Sequence, residues 1–247
     1  KALRSASNAS EQGCPMNIEH IAVIGAGTMG NGIAQVCAIA GYPVVLVDVA
    51  DAALERGVAT LNKNMQRQVS KGTLTAEQAA AASARIRTTT DYAGLGTAQL
   101  VIEAATENLQ LKQRILQQVA ANVATDCVIA TNTSSLSVTQ LAASIERPER
   151  FIGVHFFNPV PMMALVEIIR GLQTSDGTYA QALLLTEKLG KRPITAGHRP
   201  GFVVNPLLVP MINAAIFVRQ ACLACAADID TGICPGLHQS IAPLAPA

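Results

Sequence analysis

The sequence predicts an α/β fold in which helices flank a doubly wound, mostly parallel sheet, followed by a short all-helical domain. Short runs of apolar, largely β-branched residues alternate with stretches whose apolar residues recur at helical spacing, which is typical of parallel strands buried on both faces. Beyond residue 201 the strand-like runs stop, and residues 202–227 form one strongly apolar, helix-like stretch. At 247 residues the chain is long enough for one large domain or two unequal ones.

Charge and composition argue against two classes of partner. The chain carries 18 Lys and Arg against 17 Asp and Glu, without a basic run, and it lacks Trp, so nothing indicates binding to nucleic acid. Prolines and polar residues interrupt the apolar stretch near the C-terminus, which argues against a membrane span.

The six cysteines lie mostly in apolar segments, as is usual for proteins of a reducing compartment. Cys222 and Cys225 have C-x-x-C spacing, but no second pair stands at zinc spacing and both fall in the helix-like stretch. We therefore expect these two thiols to pack in a core, and we expect no metal site. A cytoplasmic location fits best, with the mitochondrial matrix as the alternative.

The first strand, at residues 21–24, leads into a glycine-rich loop. Gly25, Gly27 and Gly30 have the spacing G-x-G-x-x-G, and a helix-like stretch follows. In dinucleotide-binding folds the first glycine allows a tight turn, the second lets the backbone approach a pyrophosphate, and the third lets helix and strand pack closely. The N–H groups at the start of the helix would hold the phosphates. The predicted cofactor-binding loop consists of Gly25, Ala26, Gly27, Thr28, Met29 and Gly30.

Asp48 ends the second strand, about twenty residues beyond this loop. A carboxylate at this position accepts hydrogen bonds from the adenosine ribose hydroxyls and repels a 2′-phosphate. The sequence therefore predicts a Rossmann-type domain that binds NAD rather than NADP. The alternative is an ordinary βαβ unit with a glycine turn.

The remaining elements follow in the order that a doubly wound sheet requires. Helices are predicted at residues 52–70, 75–84, 137–144 and 176–189, and strands at 85–89, 99–104, 127–130, 151–157, 163–169 and 193–195, the last at a sheet edge. Gly and Pro at residues 197–201 mark a boundary. We expect a flexible arm or tag over residues 1–15, an NAD-binding domain over 16–198 and a shortened helical domain over 199–247.

A hydroxyl-rich turn at residues 132–135 follows the fifth strand. Polar residues at the carboxyl end of a parallel strand lie at the crevice where such sheets bind ligands, which makes Ser134 a candidate site residue. The alternative is that Ser134 or Ser135 only caps the helix that follows.

An imidazole and a carboxylate fall on consecutive strands. His155 lies in an apolar run that ends at Asn158 and Pro159, and Glu167 lies in the next apolar run. A buried carboxylate without a partner is costly, and strands joined by so short a turn can pair antiparallel, which would bring Glu167 to His155. We therefore predict a carboxylate–imidazole dyad. The alternative is that His155 is an ordinary core residue.

With these features the chain resembles the L-3-hydroxyacyl-CoA dehydrogenase family, particularly its bacterial short-chain members, from about residue 17 to the end. The resemblance rests on motifs at residues 25–30, 102–108, 132–135, 155–159 and 200–205. It implies an oxidoreductase that reversibly oxidises a (S)-3-hydroxyacyl-CoA to the 3-ketoacyl-CoA with NAD, as in fatty acid β-oxidation and butanoate metabolism. It also implies a homodimer, provided that the helical domain is able to form the dimer contact.

The resemblance assigns roles to individual residues. His155 would be the general base that removes the 3-hydroxyl proton, and Glu167 would orient its imidazole and stabilise the charged form. Ser134 and Asn205 would hydrogen-bond the reacting end of the substrate. The family positions that contact the cofactor correspond to Asp48, Glu107, Lys112, Ser134 and Asn158, and those near the CoA moiety correspond to Asn64 and Lys71.

Two features depart from the family. Pro206 stands where the family usually has Arg or Lys, and a proline disfavours helical geometry in the residue before it, so we expect Asn205 to be displaced from a helix and turnover to be weak. The alternative is that Pro206 lies near the start of a helix, where proline is tolerated and the site survives. The family's helical domain also continues several tens of residues further. One alternative is therefore a weakly active NAD-binding fragment. Another is a β-hydroxyacid dehydrogenase acting on free acids, but that class uses a lysine of the second domain, and residues 201–247 contain no Lys.

Overall fold

The computed structural model describes residues 18–197 and 199–245. The predicted arm at residues 1–15 lies outside the described residues, as does His198 beside the predicted domain boundary. Contacts divide the chain between Pro200 and Gly201 into two compact units.

The first unit is built on a single sheet. Its described strands are β1 (Ile21–Ile24), β2 (Val44–Val47), β3 (Ile86–Thr89), β4 (Leu100–Glu103), β5 (Val128–Thr131), β6 (Phe151–Phe156), β7 (Leu165–Ile169) and β8 (Arg192–Ala196). They lie in the order β3-β2-β1-β4-β5-β6-β7-β8, and every neighbouring pair is parallel except β6 and β7. The predicted Rossmann-type fold is confirmed.

Helices connect these strands. The α-helices of the first unit are α1 (Thr28–Ile39), α2 (Asp51–Ser70), α3 (Ala76–Ala84), α4 (Leu109–Asn122), α5 (Val138–Ala142) and α6 (Asp176–Lys188), and short 3₁₀ turns lie at Ala93–Leu95 and Pro148–Arg150. Side-chain caps fix where several helices begin, because Thr75, Asn108, Ser137 and Ser175 each accept a backbone N–H of the first turn.

The strands are buried because apolar residues fill both of their faces. All residues of β1, β4, β5 and β6 are buried, and the core includes Val23, Ile33, Leu46, Ile102 and Ile152. Burial on both faces explains why these segments read as continuous apolar runs rather than as alternating ones. A charged residue within such a run therefore requires a partner.

The second unit consists of α7 (Val204–Gln220) and α8 (Ala226–Leu237). Pro206 is the third residue of α7, where a backbone N–H would have no partner within the helix, so the proline is tolerated. Asn205 lies within α7, and the expectation that Pro206 displaces it from helical geometry is wrong. Among the described helices of both units, none is long and apolar enough to cross a bilayer.

The cysteines correct a second expectation. Cys37 and Cys127 are buried, and burial raises the pKa of both thiols to about 12. Cys222 and Cys225, in contrast, are exposed in the turn between α7 and α8, so the prediction that they pack in a core is wrong. Cys225 instead caps α8, where its Sγ accepts the N–H of Asp228 at 3.4 Å.

Candidate active site

The predicted site residues of the first unit gather at one edge of the sheet. The glycine loop follows β1, Asp48 follows β2, and the serine turn, residues 132–135, follows β5. These strands are parallel, so their carboxyl ends meet at the same edge. This is the edge at which doubly wound sheets bind their ligands.

The three loop glycines differ in what surrounds them. Gly25 has a φ of +100°, and a Cβ there would lie 2.7 Å from Cα of Ala105, so only glycine fits. A Cβ on Gly30 would overlap the carbonyl oxygen of Gly25, which explains the close packing of α1 on β1. Gly27 caps α1 and has open space where a Cβ would point. The loop therefore leaves room for a pyrophosphate against the first N–H groups of α1.

Polar side chains hold this loop in place. Asp48 accepts the N–H of Ala26 through Oδ2 at 2.7 Å, which brings its carboxylate to the loop. Asn31, in the first turns of α1, donates from Nδ2 to the carbonyl oxygen of Gly27 at 2.7 Å and is buried. Sequence reasoning missed Asn31, because an amide in a helix-like stretch carries no distinctive pattern.

The predicted pairing of His155 with Glu167 is present. The antiparallel register of β6 and β7 places the two residues directly opposite each other, and His155 Nδ1 lies 2.7 Å from Glu167 Oε2. Glu167 is fully buried and His155 is 6% exposed. Asn132 fixes the end of β6 against β5, since its Oδ1 accepts the N–H of Phe156 at 2.8 Å. An imidazole held by a carboxylate through Nδ1 can take a proton at Nε2, the other ring nitrogen.

The serine turn is organised by Glu107. Its Oε1 accepts from Thr133 Oγ1 and Ser134 N, each at 2.7 Å, and more distantly from Ser134 Oγ and from the N and Oγ of Ser135. Ser137 caps α5, so the alternative in which Ser134 or Ser135 serves as the cap is wrong. Burial raises the pKa of the Glu107 carboxyl, but the hydrogen bonds from Thr133 and Ser134 and the charge of Lys112 lower it overall.

Lys112 is buried rather than open to the crevice. Its Nζ donates to Glu103 at 2.7 and 2.9 Å and lies 3.6 Å from Oε2 of Glu107. Sequence reasoning missed Glu103 as a functional candidate. The signal that identified Glu167, a carboxylate in an otherwise apolar strand, was present there too.

The remaining predicted residues lie further out. Asn158 is exposed directly after β6, in a turn whose carbonyl groups at Val160 and Met163 accept hydrogen bonds from Lys191 Nζ at 2.6 and 2.8 Å. Asn64 lies on α2 and is half-buried, and Lys71 is exposed directly after that helix. Their spacing of seven residues places them on the same side of the helix.

Comparison with protein families gives one extended match. Residues 20–199 match the family model described as "3-hydroxyacyl-CoA dehydrogenase, NAD binding domain". The match covers the whole sheet and the candidate site residues of the first unit.

Two relatives and one solved structure extend the similarity beyond that domain. The chain is 44% identical over 227 residues to a 3-hydroxybutyryl-CoA dehydrogenase of Bradyrhizobium diazoefficiens, covering 92% of this chain and 78% of the relative. It is 40% identical to a protein of the same name from Clostridioides difficile, and the match covers 91% of this chain and 80% of that relative. The crystal structure of (S)-3-hydroxybutyryl-CoA dehydrogenase from Ralstonia eutropha is similar with a TM-score of 0.89 and 52% identity, covering 92% of this chain and 81% of that one.

Proposed function

The chain belongs to the 3-hydroxyacyl-CoA dehydrogenase family, and on that premise we propose that it reversibly oxidises (S)-3-hydroxybutyryl-CoA, or a similar short-chain substrate, to the 3-ketoacyl-CoA. The observation that carries the proposal is the buried pair of His155 and Glu167, 2.7 Å apart, at the edge of the sheet that also bears the glycine loop. This edge therefore offers a general base and a dinucleotide cradle together.

The loop and its surroundings fit NAD. The open space at Gly27 and the first N–H groups of α1 would hold the pyrophosphate, and Asp48 would accept the ribose hydroxyls through Oδ1, since Oδ2 is engaged by Ala26. When bound, NAD would supply the acceptor for the hydride that leaves C3 of the substrate. The resemblance to the family adds Glu107, Ser134 and Asn158 as cofactor contacts. It also assigns Lys112 to this group, but the Lys112 side chain is buried against Glu103, so it would act on the cofactor through Glu107.

The proton of the 3-hydroxyl group goes to His155. Its Nδ1 faces Glu167, so Nε2 is the atom that takes the proton, and the buried carboxylate stabilises the imidazolium that forms. Ser134 and Asn205 would orient the oxygen at C3. Asn64 and Lys71 would contact the CoA moiety. The kinship with bacterial dehydrogenases also leads us to propose a cytoplasmic homodimer.

The test is NAD reduction followed at 340 nm with three substrates: (S)-3-hydroxybutyryl-CoA, its (R)-isomer and free (S)-3-hydroxybutyrate. We expect turnover with the (S)-thioester alone. Turnover of the free acid would instead favour the β-hydroxyacid dehydrogenase alternative. NAD binding without turnover of any of the three would favour the weakly active fragment.

A further inference from the structure

Glu103 is a charged residue at the carboxyl end of a central strand, and the function proposed above does not use it. It is the last residue of β4 and is fully buried. Its carboxylate accepts from Lys112 Nζ at both oxygens, from Thr131 Oγ1 at 2.8 Å and from the N–H of Ala105 at 2.8 Å. These bonds offset the cost of burying the charge.

One arm of this network reaches the glycine loop. The N–H that Glu103 holds belongs to Ala105, and the Cα of Ala105 is the atom that a Cβ on Gly25 would approach to 2.7 Å. The backbone of Gly25 therefore rests against a residue whose position Glu103 fixes. A shift of Ala105 would be transmitted to the first turn of the loop.

The other arm reaches the serine turn. Lys112 stands between two carboxylates, with Nζ 2.7 Å from Glu103 and 3.6 Å from Glu107. Glu107 in turn holds Ser134 by the backbone N–H and by Oγ. Among the described residues, Glu103 and Glu107 are the carboxylates within 4 Å of the Lys112 ammonium. If Glu103 lost its charge, Lys112 would be drawn towards Glu107, and Glu107 would be drawn from the turn.

Stability alone does not explain such a pair. A buried ion pair contributes little net stability compared with apolar residues of the same volume, because both charges lose their hydration. The other residues of β4, Leu100, Val101 and Ile102, are apolar. The one ionised residue of this strand stands at its carboxyl end, where the strand meets the ligand edge.

We propose that Glu103 is a positioning residue, which acts through Ala105 on the glycine loop and through Lys112 and Glu107 on the serine turn, and so sets the geometry that binds NAD and the acyl substrate. It takes no part in proton transfer. The part that concerns the acyl substrate rests on the proposed function. The part that concerns NAD rests on the loop and on membership of the family.

The test uses Glu103→Gln in the full chain, a change that keeps the shape and removes the charge. We expect the Kd for NADH, measured by fluorescence titration, to rise about tenfold, since a charge-assisted network is lost. Thr131→Val removes one neutral hydrogen bond to Glu103 and should raise the Kd in the same direction by about twofold to threefold.

A matched control separates positioning from general destabilisation. Thr174 is buried and joins the carbonyl oxygen of Phe151 to the N–H of Gly171, at the opposite edge of the sheet. Thr174→Val should lower the melting temperature and leave the Kd for NADH unchanged. The midpoint of the pH–rate profile for acetoacetyl-CoA reduction should be the same in Glu103→Gln as in the native chain, because His155 and Glu167 are untouched.

The proposal is overturned if Glu103→Gln binds NADH with the native Kd. It is also overturned if Thr174→Val and Glu103→Gln lower the melting temperature equally and raise the Kd for NADH by the same factor. If Glu103→Gln does not fold, Thr131→Val decides the matter, and native affinity in that variant overturns the proposal. A native chain without turnover of acetoacetyl-CoA would refute the proposed function, whereas the NADH titrations would still decide the role of Glu103.

Discussion

At the scale of single residues, Asp48 ties the second strand to the glycine loop through the N–H of Ala26. We predict that the native chain binds NADH at least about tenfold more tightly than NADPH, because this carboxylate repels a 2′-phosphate. Asp48→Ala should weaken NADH binding and reduce the difference between the affinities for NADH and NADPH. Asp51→Ala, which removes the same charge from the exposed start of α2, is the control. Equal affinity of the native chain for both cofactors in fluorescence titrations would show that Asp48 lacks this role.

The charge of Glu167 in the dyad can be removed without changing the size of its side chain. Glu167→Gln keeps the size of the side chain that faces His155 Nδ1 but removes the charge that stabilises the imidazolium. Turnover should slow, because a neutral amide does not stabilise the imidazolium that forms when His155 takes the substrate proton. Steady-state rates of acetoacetyl-CoA reduction at saturating NADH provide the measurement. A turnover rate equal to the native one would argue against the pairing as a functional unit.

At the scale of elements, α7 contains two prolines in positions of different consequence. Pro206 lies in the first turn, whereas Pro210 lies inside the helix, where it removes a hydrogen bond and crowds the carbonyl group of the preceding turn. Pro210→Ala should therefore raise the free energy of unfolding by about 2 kcal/mol. Pro206→Ala, the control, should leave it within about 0.5 kcal/mol of the native value. Urea titrations followed by circular dichroism measure the free energy of unfolding of both variants. Equal changes in Pro210→Ala and Pro206→Ala would contradict the placement of the two prolines.

For the molecule as a whole, most of the fold could be predicted because the sequence carries two signals, the apolar runs of the strands and the spacing of the loop glycines. Buried parallel strands appear as continuous apolar runs, and Gly25 and Gly30 of the loop have conformations or surroundings that exclude a side chain. The pairing of His155 with Glu167 was predictable as well, because a short turn limits how the two strands can pair. These features are local in the sequence, which is why pattern and spacing suffice.

Other features depend on tertiary contacts that the sequence does not display. A carboxylate in an apolar strand signals that Glu103 is buried, but its partner Lys112 comes from the helix α4, so the sequence did not indicate the pair. The turn at Cys222 was hidden because the apolar character continues through it, and Cys222 takes a φ of +55° without being glycine. The effect of Pro206 depends on how far it lies from the first residue of α7, and the sequence alone does not show where that helix begins.

We propose His155 as the general base of this NAD-dependent 3-hydroxyacyl-CoA dehydrogenase. The most direct measurement is the rate of NADH oxidation with acetoacetyl-CoA, compared between the native chain and His155→Gln at saturating NADH. We predict turnover by the native chain and a rate lower by roughly two to four orders of magnitude in the variant, with NADH affinity unchanged. A variant that keeps the native rate, or a native chain that binds NADH without oxidising it, would contradict the claim.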